Sequence, residues 1–95
     1  IRSADDVVLA VNEAWEQATG RPRAEQLGRT RRELGLWYDD AEEAAFAAGL
    51  AASGRVHDLP YGFRHHPDGQ VRHALVSAER VELEGRSAAL IVATD

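Results

Sequence analysis

The 95-residue chain contains no cysteine and no lysine. Without cysteine there can be no disulfide, no thiolate metal site, no cysteine nucleophile and no covalent thiol–cofactor adduct. Without lysine there is neither Schiff-base chemistry nor a phosphate-loop lysine. All eleven basic side chains are therefore arginine, and seventeen alanines accompany them, a bias of GC-rich coding rather than of chemistry. The formal net charge of −5 argues against a general nucleic-acid binder, whose affinity comes from neutralising phosphates. No apolar run approaches the roughly 20 residues of a membrane span, and the N-terminus lacks the charged-then-apolar layout of a signal peptide. A cytoplasmic setting is the expectation.

What is present is ordinary globular composition, 44% apolar and 28% charged, in a chain long enough for one core and too short for two. Residues 1–95 are read as a single domain. Val7–Val11 is short, apolar and β-branched, and reads as a strand after the turn-like Ala4-Asp5-Asp6. Asn12 caps a helix from about Glu13 to Thr19, Gly20 stops it, and Trp15 and Ala18 share its buried stripe. Pro22 opens a short helical turn through Leu27, ended by Gly28. Asp40-Ala41-Glu42-Glu43 has the form of a capping box, opening a helix that runs to about Ser53 and stops at Gly54. Phe46 and Leu50 lie four apart on one face, flanked by alanines, and nothing polar on that inner face suggests chemistry.

From Val56 the period changes to two, with Leu59, Tyr61 and Phe63 on one face. Asp68-Gly69 predicts a two-residue hairpin turn, setting Phe63 against Ala74, Tyr61 against Val76 and Leu59 against Ala78. Leu75 then lies opposite Gly62 on the other face. The returning strand reaches about Leu83, turns at Glu84-Gly85, and continues from Ser87 to Thr94. Its run Ala88–Ala93 is apolar on both faces, as in a central strand. The order of elements is that of an α+β domain with helices on one face of a sheet.

These segments resemble the PAS domain, a sensory and interaction module of bacterial signalling proteins. Val11-Asn12-Glu13-Ala14-Trp15 with Ala18-Thr19-Gly20 is similar to the family's asparagine-led first helix. Glu25-Gln26-Leu27-Gly28-Arg29-Thr30 resembles its "eeLiGrt" segment, and Leu34-Gly35-Leu36-Trp37 the "eLglW" that often follows. Pro67-Asp68-Gly69-Gln70-Val71-Arg72 resembles the "kDGsvrw" hairpin, and Ala93-Thr94-Asp95 the start of "DIT". The resemblance covers nearly the whole chain. It implies a five-stranded antiparallel sheet with short helices on one face, enclosing a pocket for a small ligand. Only Ile1–Ser3 correspond to the family's first strand, so that strand is expected to begin upstream or to come from a partner chain. The helix that follows "DIT" and leads to an output domain, such as that of a histidine kinase in a two-component system or a diguanylate cyclase, is also expected outside this segment.

The candidate pocket residues are Trp37, Phe46, Leu50, Tyr61, Phe63, Ala74, Val76, Ile91 and Ala93, with alanines 74, 78, 89 and 93 leaving space on the inner face. Plain core packing is the alternative for the large ones. The ligand is unknown. His73 and Leu75 are the candidate homodimer contacts on the outer face, where an empty, ligand-free module would associate. His57, His65, His66 and His73 do not converge in the predicted register, so no metal ligands are assigned. PAS domains with haem are generally ligated from the long helix, and residues 40–53 contain no histidine. The flavin-photochemical branch needs a cysteine that is absent. Haem and covalent flavin are therefore disfavoured. Arg29, Arg31 and Arg32 are read as a solvated basic face and Asp39, Asp40, Glu42 and Glu43 as a helix N-terminus favoured by its dipole. No acid pair, hydroxyl–histidine pair or phosphate loop points to an enzyme.

Overall fold

The computed structural model describes residues 6–65 and 68–94. Expectations that fall on Ile1–Ser3, on His66 and Pro67 or on Asp95 lie outside the described residues. The elements run β1 (Val7–Val11), α1 (Glu13–Thr19), α2 (Arg23–Gln26), α3 (Arg31–Leu34), α4 (Asp40–Ser53), β2 (Arg55–Arg64), β3 (Val71–Leu83) and β4 (Arg86–Thr94). They form an α+β domain in which a four-stranded sheet, ordered β1-β4-β3-β2, carries the helices on one face.

The sheet is mixed rather than wholly antiparallel. β2–β3 and β3–β4 are hairpin-type pairs, but β1 lies parallel to β4. The junction after β1 fixes that direction. Asn12 must present its side chain both to the start of α1 and to the far end of β4. Its Oδ1 accepts from the Trp15 N–H at 3.0 Å and from the Ala93 N–H at 3.1 Å, while its Nδ2 donates to the Ala93 carbonyl at 3.0 Å. Only a β1 running alongside β4 in the same sense brings Asn12 to that point.

The β2–β3 register differs by two from the predicted one: Tyr61 faces Ala74, Leu59 faces Val76, and Phe63 faces Arg72. His73, not Leu75, lies opposite Gly62, and Leu75 lies opposite Pro60. The reason is covalent. A two-residue turn at Asp68-Gly69 would make Pro67 a hydrogen-bonded partner of Gln70, and proline has no N–H to give. The ladder instead closes one step earlier, where the His65 N–H donates to the Gln70 carbonyl at 2.8 Å. A shift of two preserves the faces, so Tyr61, Phe63, Val76 and Ala78 still point inward and are buried.

α4 starts one residue earlier than its sequence signature indicates. Asp39 is the cap, its Oδ1 accepting from the N–H groups of Ala41 at 2.8 Å and Glu42 at 3.2 Å. Asp40 is engaged instead by the Trp37 indole N–H, at 3.1 Å. The helix runs through its alanines to Ser53 and ends at Gly54. α3 has a capping box of its own, with Thr30 accepting from Glu33 N–H and Glu33 accepting from Thr30 N–H.

Both sheet edges are partly covered, which suppresses edge-to-edge pairing. Along β2, the Tyr38 N–H donates to the Gly62 carbonyl (3.0 Å) and the Arg64 N–H to the Leu36 carbonyl (2.8 Å). The Glu42 carboxylate accepts from the Gly62 N–H at 2.6 Å. A Cβ at Gly62 would meet that carboxylate and the His73 ring at 3.1 Å, so the close approach uses the missing side chain. Along β1, Val8 exchanges bonds with Arg29 and Gly28 at 2.8 and 3.0 Å.

The β3–β4 turn holds Glu84 at φ 54° and Gly85 at φ 78°, the positive pair of a type I′ turn. Glutamate is a poor residue there and asparagine a good one. Glu84→Asn is expected to raise stability by about 0.5–1 kcal/mol, read as a higher urea midpoint with an unchanged slope.

Candidate functional site

The inner face of the sheet has a floor of small residues, Ala78, Ala89 and Ala93, all buried. Aromatic rings occupy the space above them. Trp15 from α1 packs edge-on against Phe63 with centroids 5.1 Å apart, and Phe46 from α4 packs against Tyr61 at 5.3 Å. Such tilted contacts suit the ring quadrupoles. The alanines thus do not leave a wide hollow. What remains between helices and sheet is a cavity of about 10 Å³, room for about one water molecule. Its wall is formed by Val8, Trp15, Gln26, Arg31, Leu34, Leu36, Trp37, Tyr61 and Ile91.

Of the expected pocket residues, Trp37, Tyr61 and Ile91 line this cavity. Phe46, Leu50, Phe63, Val76 and Ala93 are buried in the surrounding core, and Ala74 packs half-buried at its margin. His73 and Leu75 are exposed on the opposite face of the sheet.

Two charged residues, Arg31 read as part of a solvated basic face and Glu43 as part of a helix N-terminus, lie inside. Arg31 from α3 and Glu43 from α4 are only 6% and 7% exposed and form an ion pair through Nη1 and Oε1. The Tyr61 hydroxyl donates to the same Oε1 at 2.6 Å, and the Arg31 guanidinium lies over the Phe46 ring, 4.4 Å from its centroid. Glu43 therefore does not merely complement the helix dipole, and Arg31 does not belong to a basic patch with Arg29 and Arg32, which are exposed. The sequence carried the signal. Glu43, Phe46 and Leu50 are spaced i, i+3, i+7, which places the carboxylate on the buried stripe.

A second polar group is fully buried and fully used. The Gln26 side chain accepts from the Trp15 indole N–H at 3.1 Å, and donates to Thr19 Oγ1 at 3.2 Å and to the Arg21 carbonyl at 3.1 Å. It locks α1 to α2. Arg31 is different, since its Nε and Nη2 have no hydrogen-bond partner among the described residues, nor has Glu43 Oε2.

Burial raises the Tyr61 pKa far above its ordinary value of 10, and the neighbouring Glu43 charge and hydrogen bond reinforce this. The fold thus favours the neutral phenol. Stability from this group is complete below pH 10 and is lost above it, where the unfolded chain ionises first. The expected slope is up to about 1.4 kcal/mol per pH unit, in a range where a lysine-free chain has few other titrating groups. Urea unfolding between pH 9 and 11.5 (about the practical range) checks this, and Tyr61→Phe is expected to remove the slope.

The three described histidines do not converge. His57 is exposed, His65 holds the Ala18 carbonyl at 2.9 Å through Nδ1, and His73 lies over Gly62. Among the described residues no cluster of three or more histidine, aspartate or glutamate side chains gathers in metal-binding range. Ser77, His57 and Asp58 do meet at the β2 bulge, unforeseen from sequence. Ser77 Oγ accepts from the Asp58 N–H at 3.0 Å and stands 3.5 Å from His57 Nδ1, the limit of a hydrogen bond. The His57 side chain is 85% exposed, and the geometry is that of a tied bulge with Asp58 at φ 49°.

Among the described residues no helix is long and apolar enough to cross a membrane. No protein-family model, no curated protein and no solved structure matches the chain.

Proposed function

We propose that this domain is a PAS-type sensory module of a larger, cytoplasmic bacterial signalling protein. In this reading a small molecule enters between sheet and helices, and the change in packing is relayed to a covalently linked output domain. The α+β architecture with helices on one face agrees coarsely with that fold; the four-stranded mixed sheet is the departure from it. The order and spacing of the motifs supply the rest of the support. The observation that carries the reading is the small, largely apolar cavity lined in part by Arg31, a buried residue whose Nε and Nη2 are unused. Buried donors left unused beside a void favour a guest that brings an acceptor.

A relay route follows from the same contacts. Ile91 lines the cavity, and two residues further along β4 Ala93 is bonded on both its N–H and carbonyl to Asn12. A ligand that presses on Trp15 or Ile91 acts on the junction of α1 with the end of β4, so its differential affinity for two packings becomes a signal.

The second reading is a ligand-free module that forms a homodimer through the outer face of the sheet. Leu75 and Val92 are 41% and 44% exposed there and lie diagonally across β3 and β4. A two-fold axis through that patch would bury both against their counterparts.

Denaturing the purified protein and analysing the released small molecules by mass spectrometry separates the two. A stoichiometric compound supports sensing. An empty monomer-sized interior, together with a tight dimer that Leu75→Asp dissociates, supports the second reading against the first.

A further inference from the structure

The cavity wall is chemically one-sided. Gln26 spends its hydrogen bonds on Trp15, Thr19 and Arg21, and Tyr61 spends its hydroxyl proton on Glu43. The remaining wall residues, Val8, Leu34, Leu36, Ile91 and the indole faces of Trp15 and Trp37, offer apolar surface. Arg31 alone in this wall has polar hydrogens to give, from Nε and Nη2. A guanidinium donates and never accepts, and these two N–H groups form one edge of its planar fork. What binds there must bring an acceptor.

Charge then selects among acceptors. The Arg31 cation is already opposed by Glu43 at Nη1, inside the protein. A carboxylate ligand would place a second anion beside the first with only one cation between them, away from water. That arrangement costs desolvation and like-charge repulsion that the single arginine cannot offset. A neutral carbonyl oxygen takes the same two N–H groups without either cost. Building on the sensory reading above, we infer that this site takes a small uncharged molecule, aromatic or aliphatic in its body, whose carbonyl oxygen is held by Arg31 Nε and Nη2.

Size identifies the part of the wall that yields. The present volume admits about one water, so a larger guest has to displace a side chain. Trp37 is the half-buried member of the wall, and its indole N–H is tied at the surface to Asp40 Oδ1 at 3.1 Å. Rotation of that ring breaks one exposed hydrogen bond and leaves the backbone bonds of Leu36 and Tyr38 to β2 intact.

The test uses three probes of similar size, acetophenone, benzoate and ethylbenzene, titrated to about 10 mM into the ¹⁵N-labelled domain. The arginine Nε–H resonances are followed, with Arg31 assigned by its loss in Arg31→Lys. Acetophenone is expected to shift the Arg31 Nε–H signal saturably, with benzoate at least about tenfold weaker and ethylbenzene leaving that signal in place. The triple replacement Arg31→Met, Glu43→Leu and Tyr61→Phe keeps the interior neutral, leaves this wall no free donor, and is expected to bind acetophenone and ethylbenzene alike. Benzoate binding more tightly than acetophenone, or acetophenone binding without moving the Arg31 signal, would overturn the inference while leaving ligand sensing intact. If no probe binds and a metabolite screen also yields no stabilising compound, the sensory reading itself falls, and this inference with it.

Discussion

Glu43→Ala is expected to remove about 3–5 kcal/mol of stability, because it leaves the Arg31 guanidinium buried without its counter-charge. Domains of this size have only about 5–15 kcal/mol in total, so the variant is expected to unfold at much lower urea or not to fold at all. The loss has a second component, since the Tyr61 hydroxyl would also lose its acceptor. Replacing the pair together with the hydroxyl bonded to it, Arg31→Met with Glu43→Leu and Tyr61→Phe, is expected to fall within about 1–2 kcal/mol of the parent on either side, as buried pairs exchanged for apolar residues of like volume usually do. The two variants compared in urea melts separate the cost of an orphaned charge from the worth of the pair. A Glu43→Ala loss below about 1 kcal/mol would mean that the pair is solvated and that the interior is not as described.

The second large effect is at Trp15, the ring that joins α1 to the sheet. Trp15→Ala is expected to cost about 3–5 kcal/mol. It removes the edge contact with Phe63 and opens a void beside the existing cavity. It also strands Gln26 Oε1, which accepts from the indole N–H. Trp15→Phe isolates that last contribution: it keeps an aromatic ring but not the donor, and is expected to cost about 1–3 kcal/mol. Circular dichroism through a thermal melt reads both, and the tryptophan fluorescence left in either variant reports Trp37 alone.

The elements themselves were legible because local chemistry marks their ends. Asn12 and Gly20 bracket α1, Gly54 stops α4, and Glu84-Gly85 turns β3 into β4, all as the residue types indicate. The inward set Tyr61, Phe63 and Val76 followed from the period of two, and it survived an error of two in the register because an even slip keeps each side chain on its face. Proline's missing N–H at the hairpin was the available clue to that error.

The direction of β1 was not legible, since strand sense is set by where Asn12 must reach on β4, a contact 81 residues away in sequence. The buried ion pair was half legible. Glu43 sits on the helical stripe of Phe46 and Leu50, but Arg31 lies on a four-residue helix too short to show a stripe. The Thr30–Glu33 capping box that creates that helix was present in the residues all the same. Cavity size depends on how the rings of Trp15, Phe46, Tyr61 and Phe63 settle over the alanines, which no one-dimensional pattern specifies.

Whether the space between helices and sheet receives a molecule is decided most directly by melting temperature across a panel of small uncharged metabolites, in the parent domain and in Leu34→Phe, which narrows the cavity. A saturable rise with at least one compound is expected, as binding to the native state alone requires, together with its loss in Leu34→Phe. A rise of equal size in both proteins, or no rise with any compound, would contradict it.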